Sequence, residues 1–406
     1  MPNPYSEIFR APGTKGFAAA GFVARLPIAM APIGIVAMLS QTHGEYWLAG
    51  AVSATYALTN AFLAPQISRL IDRLGQTTVA APAATISASA FLVLIVATNQ
   101  HWPVWTLFAS ALLAATMPSI PAMVRARWTG IFRDQPGLYT AFAFESVADE
   151  LVYIAGASLS VGLSVALFPE AGMLASTLFL AVGTAAFLLQ RSTEPRLEPS
   201  AERATGSAIR LRPVQIITLA LIFVGVIFAT AEVSTVAMTK ELGQPGAASL
   251  VIGVYALGSF IVGIIVGGLN LTMPLPRRML ISVAAIALTT LPLLLADTVL
   301  MLAITVFISG LAISPTFITA FGLIERRVPE AMLTEGITWV MTGIGIGMAL
   351  GAFAAGWVVD TFGAHSGFFV SVAAAFASLL TVLAGQKSLA GGRQEIPRNT
   401  LAQPAE

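Results

Sequence analysis

The chain has 406 residues, 56% of them hydrophobic and only 10% charged, with a formal net charge of +1 and no Cys. Soluble domains carry roughly a quarter charged residues, so an ordinary water-soluble fold is excluded. With no single basic face there is no basis for nucleic-acid binding, and disulfides, thiolate metal sites and cysteine nucleophiles are excluded outright.

In chain order, apolar runs able to cross a hydrocarbon core of about 30 Å as helices are predicted at 16–40, 47–70, 78–98, 103–125, 138–167, 172–190, 214–239, 248–269, 279–296, 299–322, 334–359 and 366–385. They lack the alternating polarity of barrel strands. The first run is too long for a signal-peptide core and has no small-residue cleavage site, so it reads as a span. The fold class is an all-α membrane protein with twelve transmembrane helices. Trp47, Trp102, Trp105 and Trp357 fall near span boundaries on one side and Trp128 near one on the other, as an aromatic belt would.

Lys and Arg collect in every second gap between the runs. These gaps hold Arg10 and Lys15; Arg69 and Arg73; Arg125, Arg127 and Arg133; Arg191, Arg196, Arg203, Arg210 and Arg212; Arg277 and Arg278; Arg326 and Arg327; and Lys387, Arg393 and Arg398. Lys240 lies on the other side and Arg25 inside a run. Basic connections stay cytoplasmic during insertion, which orients the chain. Residues 1–14 are expected to be a cytoplasmic tail, 15–190 a six-helix bundle, 191–213 a cytoplasmic linker, 214–385 a second six-helix bundle and 386–406 a second cytoplasmic tail. Both tails, polar and Pro-containing, are expected to be poorly ordered.

The halves show weak internal similarity, a recurrent feature of secondary transporters. Gly156-Ala157 in span five parallels Gly351-Ala352 in span eleven. Pro118 and Pro121 precede a basic exit in span four, as Pro315 does in span ten. Gly343, Gly347 and Gly351 recur at four-residue spacing, and span eight carries Gly253, Gly258, Gly263, Gly267 and Gly268. Small residues at that spacing allow close backbone approach, here expected where two halves move against each other.

Ionisable residues deep in a span are costly and face a cavity or a partner. Arg25 lies ten residues beyond Lys15, about 15 Å deep, and Asp149 lies about 16 Å into span five, so the two share a level. Glu145 and Asp149 share a helix face and Glu150 is rotated from it by about 100°. Three acids around one Arg leave an excess of negative charge, which favours holding at least one carboxyl protonated near neutrality. Arg25, Glu145, Asp149 and Glu150 are therefore candidates for proton coupling or substrate binding, with a structural ion pair as the alternative. Glu232 in span seven is a fifth candidate, either a cavity acid or an interfacial one near Lys240. Glu335 reads as a solvated acid at the start of span eleven. Tyr56, Phe144, Tyr153 and Trp339 are candidate aromatic contacts for a substrate. His43, His101 and His365 fall in separate outer loops with no sign of convergence, so no metal site is expected. There is no phosphate-cradling Gly-rich loop and no Ser-His-Asp set, so neither an enzyme nor a cofactor is expected.

After span two the chain reads Ser68-Arg69-Leu70-Ile71-Asp72-Arg73-Leu74-Gly75-Gln76. Asp72-Arg73 and Gly75 resemble the signature of the major facilitator superfamily, with Ser68 at its first Gly and Gln76 at a basic position. The resemblance covers about 15–385 and implies two pseudo-symmetric six-helix bundles. It implies that helices one, four, seven and ten line a central cavity, that two, five, eight and eleven lie between the halves, and that Asp72 and Arg73 form a cytoplasmic gate. Within the superfamily the chain is similar to bacterial drug or sugar efflux carriers, although span four lacks their outer Arg and span five has Gly156-Ala157 for their Gly-Pro.

The resulting expectation is a secondary active transporter of a small molecule, working by alternating access as a proton-coupled exporter. The alternatives are an uptake symporter or facilitator for a nutrient or anion, and a non-transporting receptor on a transporter fold. The expected partners are the substrate, protons and the lipid bilayer. The expected setting is a monomer in the inner (plasma) membrane of a bacterial cell.

Overall fold

The computed structural model describes residues 4–44, 46–197, 206–269 and 272–391. Arg203, Arg393 and Arg398 lie outside the described residues, as does the side chain of Trp47. The first half comprises α1 (Pro4–Ile8), α2 (Thr14–His43), α3 (Tyr46–Leu74), α4 (Gln76–Asn99), α5 (Val104–Ala114), α6 (Ile120–Phe132), α7 (Gly137–Ala166) and α8 (Ala171–Leu188). The second comprises α9 (Arg212–Glu241), α10 (Ala248–Gly268), α11 (Leu275–Thr290), α12 (Val299–Gly310), α13 (Ile313–Arg327), α14 (Leu333–Phe362) and α15 (Gly367–Ala390). Helices close their own backbone hydrogen bonds, which a chain in hydrocarbon requires. Among the described residues, ten helical segments are long and apolar enough to cross a membrane. The 29-residue α3 and the α5–α6 pair occupy the positions of the other two expected spans. Large apolar side chains face outward around the bundle, Phe353 at 78% exposure and Leu300 at 73%, as a lipid-facing surface demands.

The span containing Pro118 and Pro121 is broken at 115–119, and the one containing Pro315 at 311–312. Proline removes a donor and collides with the carbonyl one turn back; the first break contains Pro118, and the second lies three to four residues before Pro315. The carbonyls freed at the first break are taken up by neighbouring helices. Ser87 of α4 donates to the carbonyl of Ala114 at 2.5 Å, and Asn60 of α3 donates to those of Ala115 and Met117 at 2.9 and 3.2 Å.

Packing within each half depends on small residues, because lipid tails are as apolar as the helices and only close contact favours association. A Cβ on Gly347 would lie 1.9 Å from the Ile222 carbonyl oxygen, and one on Gly225 2.2 Å from that of Ile344. The α14 backbone therefore touches that of α9 in the same half, with Gly343 and Gly351 in the same seam. This corrects the expectation that the α14 glycines mark a moving interface between halves. Of the α10 glycines, Gly267 faces Ala143 and Gly263 faces Val147 across that interface, while Gly258 packs on α12 of its own half.

The two halves meet through α3 against α14 and α7 against α10, the arrangement the resemblance implied. The first tail is also better held than expected. Ile8 is buried, and the Tyr5 hydroxyl donates to the Ile264 carbonyl at 2.9 Å.

Candidate functional site

Arg25 is 1% exposed in the middle of α2. Its Nε donates to the Gly21 carbonyl one turn back at 3.2 Å, which orients the guanidinium toward α7. There Nη1 donates to Asp149 at 2.8 Å and Nη2 to Glu145, so the two residues expected at one depth do meet, together with the acid on the Asp149 face. Gly21 allows this: its α-carbon lies so near Val124 that a Cβ would approach that side chain to 2.5 Å.

Sequence reasoning missed the rest of the cluster. Arg125 of α6 donates to the other Asp149 oxygen at 2.7 Å, and Trp128, one turn further, donates from Nε1 to Glu145 at 2.8 Å. Two cations therefore face two carboxylates, in place of the expected charge excess. The Arg125 guanidinium also lies 4.0 Å over the ring of Phe321, which belongs to α13 of the other half. Arg127 is likewise buried, held by Gln76 at 2.9 Å, the Gln190 carbonyl at 2.8 Å and Thr193 at 2.9 Å, and stacked on Phe187 at 3.8 Å. Arg125, Arg127 and Trp128, expected as a basic exit and a belt residue, are all fully buried. The available signal was the absence of any turn residue between Pro121 and Gly130, which lets one helix carry them back into the bundle.

Glu150 is not part of this cluster. Rotated from Asp149, it points to the other half, where Ser259 of α10 and Ser314 of α13 donate to it. Glu232 is exposed on α9 and makes no ion pair among the described residues. Among the aromatic candidates, Tyr56 is buried in the first half, donating to the Met117 sulfur at 3.8 Å, and Phe144 packs edge-on against Phe9. Tyr153 is 44% exposed one turn beyond Asp149, and Trp339 donates to Glu335 at 3.2 Å. His43 and His101 do converge, with ring centroids 5.2 Å apart, contrary to their separation in sequence. No group of three metal-binding side chains occurs among the described residues.

Toward the end of the bundle that carries the basic connections, Asp72 at the foot of α3 accepts from the backbone N–H groups of Thr334 and Glu335 at 3.1 and 2.8 Å. A carboxylate from one half thus caps the first turn of α14 in the other, where free N–H groups and the helix dipole favour negative charge. Ser68 and Thr338 hydroxyls pair at 2.8 Å one turn deeper. Gly75, at φ +94°, turns the chain directly into α4 with a backbone conformation suited to Gly, and Arg73 lies half-buried beside Asp72. Glu335 is buried, accepting from Ser207 and Trp339, which corrects its reading as a solvated acid. Arg133 pairs with Glu330, and Thr140 donates to the Gly267 carbonyl at 3.0 Å. Every described hydrogen bond and ion pair between the halves lies between this basic end and Glu150.

Similarity to known proteins agrees with this architecture. The profile of the Major Facilitator Superfamily matches residues 17–269 and 217–397. Comparison with curated proteins gives no match. Among solved structures, a bacterial homologue of the iron transporter ferroportin in its outward-facing state superposes with a TM-score of 0.72 at 16% identity, covering 92% of this chain and 99% of its own. The human organic anion transporter MFSD10 (TETRAN) gives 0.69 at 12% identity, over 91% and 99% of the two chains. The transporter FucP in its outward conformation gives 0.68 at 12% identity, over 92% and 98%. At these identities the likeness is one of fold. The profile match spans nearly the whole sequence, and the chain belongs to the Major Facilitator Superfamily.

Proposed function

We propose that this protein is a secondary active transporter that exports a small, partly apolar molecule by alternating access, driven by protons. The observation that carries the reading is the distribution of hydrogen bonds and ion pairs between the halves. They run from the Asp72 cap on α14 to Glu150 and stop there, and carboxylates lie at the level where they stop. This is the form of a state closed at one end, with ionisable groups at mid-depth that the opposite state would expose differently. Reading the basic end as cytoplasmic makes this state outward-facing. The coupling site lies among Arg25, Glu145, Asp149, Glu150 and Glu232, with Asp72 and Arg73 as the gate. Exposed Tyr153 is positioned to meet a substrate entering from the open end.

The test has two steps. A thermal-shift screen of purified protein against dyes, sugars, nucleosides and organic acids identifies a ligand, because binding only the folded state raises the melting temperature. Flux of that ligand is then measured in proteoliposomes with and without an imposed proton gradient. Movement against its own gradient, opposite to the protons, supports export. Co-directional accumulation would establish uptake, and binding without flux would establish a receptor.

A further inference from the structure

Glu150 Oε1 accepts from Ser259 Oγ and, at 3.0 Å, from Ser314 Oγ, and the two hydroxyls are 3.0 Å from each other. Three oxygens from three helices thus form a closed triangle. The two serines supply two protons, enough for two of its three edges; a proton on Glu150 Oε1, donated to one serine while that serine donates to the other, closes the third. Glu150 Oε2 is buried without a partner. An ionised carboxylate here would hold an uncompensated charge at mid-depth, whereas a neutral carboxyl leaves only one unmatched carbonyl oxygen.

We infer that Glu150, Ser259 and Ser314 form a proton-binding site completed only when the halves meet at the basic end, and that this site, not the Arg25 cluster, carries the coupled proton. The inference rests on the transporter reading above. The Arg25 cluster is charge-balanced, each of its carboxylates held by an Arg, so a proton added to either carboxylate would leave an Arg uncompensated. The Glu150 triangle has no cation, and two of its three members belong to the other half.

The titratable groups around Glu150 fit this role. Asp149, adjacent on α7, turns its carboxylate to Arg25 and Arg125. On α10, one turn from Ser259, the buried Tyr255 hydroxyl has no hydrogen-bond partner among the described residues. On α9, Phe228 packs edge-on against Tyr255, and exposed Glu232 follows one turn later. On α13, the acid Glu325 is eleven residues from Ser314, about 16 Å along the helix. Glu232 and Tyr255 therefore lie between Glu150 and the open end, on the route by which a proton arrives. Parting of the halves strips both serines from Glu150 and frees its proton toward the basic end.

Binding and closure are then linked. Protonation favours the closed basic end, so that state gains as pH falls, by up to about tenfold in population ratio per pH unit for one proton. The test uses the full-length chain in nanodiscs with spin-labelled cysteines replacing Gln100 and Gln244, at the far ends of the two halves. Distances are measured across about pH 5–9 in sodium or choline chloride. The wide-mouth population should rise on acidification whichever salt is present. Glu150→Gln should hold the wide distance at every pH, and Ser259→Ala/Ser314→Ala should move the midpoint by at least one pH unit. A wild-type pH response in Glu150→Gln, a response that follows sodium instead of pH, or an unmoved midpoint in the serine pair would each overturn the inference. The readout needs no substrate. A Glu150-dependent response without flux defeats the transporter reading alone, and proton-driven flux persisting in Glu150→Gln defeats this inference alone.

Discussion

Arg25 serves two carboxylates with two arms of one planar guanidinium, a geometry that Lys does not reproduce. Arg25→Ala leaves Glu145 buried with only the Trp128 indole as donor, and breaking a buried pair from one side costs about 3–5 kcal/mol. The double variant Arg25→Ala/Glu145→Gln keeps the Arg125–Asp149 bond and removes the stranded charge, so it should be less destabilised than Arg25→Ala alone. A double-mutant cycle on unfolding in detergent checks this, and additive losses would show that the two residues do not interact in solution. At this scale the sequence disclosed the depth of each charge but not the charge balance. Depth follows from counting residues along a span. Balance depends on Arg125, which lies a hundred residues from Arg25 and reaches Asp149 only because α6 continues past it.

Two helix contacts can be separated by substitution. Asp72→Asn keeps a side-chain acceptor at the foot of α14 but removes the charge that the helix terminus favours, worth about 0.3–1 kcal/mol and up to about 2 when partly buried. The state with the basic end open should therefore gain in population, and a cysteine placed at Ser68 should label faster with a thiol reagent in Asp72→Asn than in the unaltered loop. Equal labelling rates would reduce the loop to an ordinary turn. The α14 glycines give the second contrast. Gly347→Ala forces α14 away from the Ile222 carbonyl, and overpacking of this kind costs about 1–3 kcal/mol. At Gly345 a Cβ meets open space, so Gly345→Ala should be neutral or should stabilise through helix propensity, by up to about 1 kcal/mol. Melting temperatures of the two variants decide this, and equal effects would contradict the α9–α14 seam. The four-residue glycine spacing announced close packing, but it could not name the partner helix, since any neighbour with small residues satisfies the same pattern.

For the whole molecule, the alternation of basic connections predicts that Ser192 and Gln100, both exposed, lie on opposite sides of the membrane. Single cysteines at these positions, in a chain that has none of its own, should label from opposite sides with an impermeant reagent. Labelling of both from outside would overturn the topology. The described hydrogen bonds and ion pairs between the halves end at Glu150, so cross-links between far-end cysteines should form only after the molecule changes state.

The sequence by itself determined the membrane setting, the approximate spans, the family resemblance and the shared depth of Arg25 and Asp149. Each of these follows from properties that are local along the chain: hydropathy over about twenty residues, the placement of basic gaps, a short loop signature and the rise per residue of a helix. Only the tertiary structure decided that Arg125 and Trp128 complete the Arg25 cluster, that Glu150 faces Ser259 and Ser314 across the halves, and that the α14 glycines seat α9. Those facts depend on which helix lies beside which and how each is rotated. In hydrocarbon, where burial of apolar surface gives no preference between neighbours, that choice is made by backbone contact, polar pairing and the breaks at Pro118, Pro121 and Pro315.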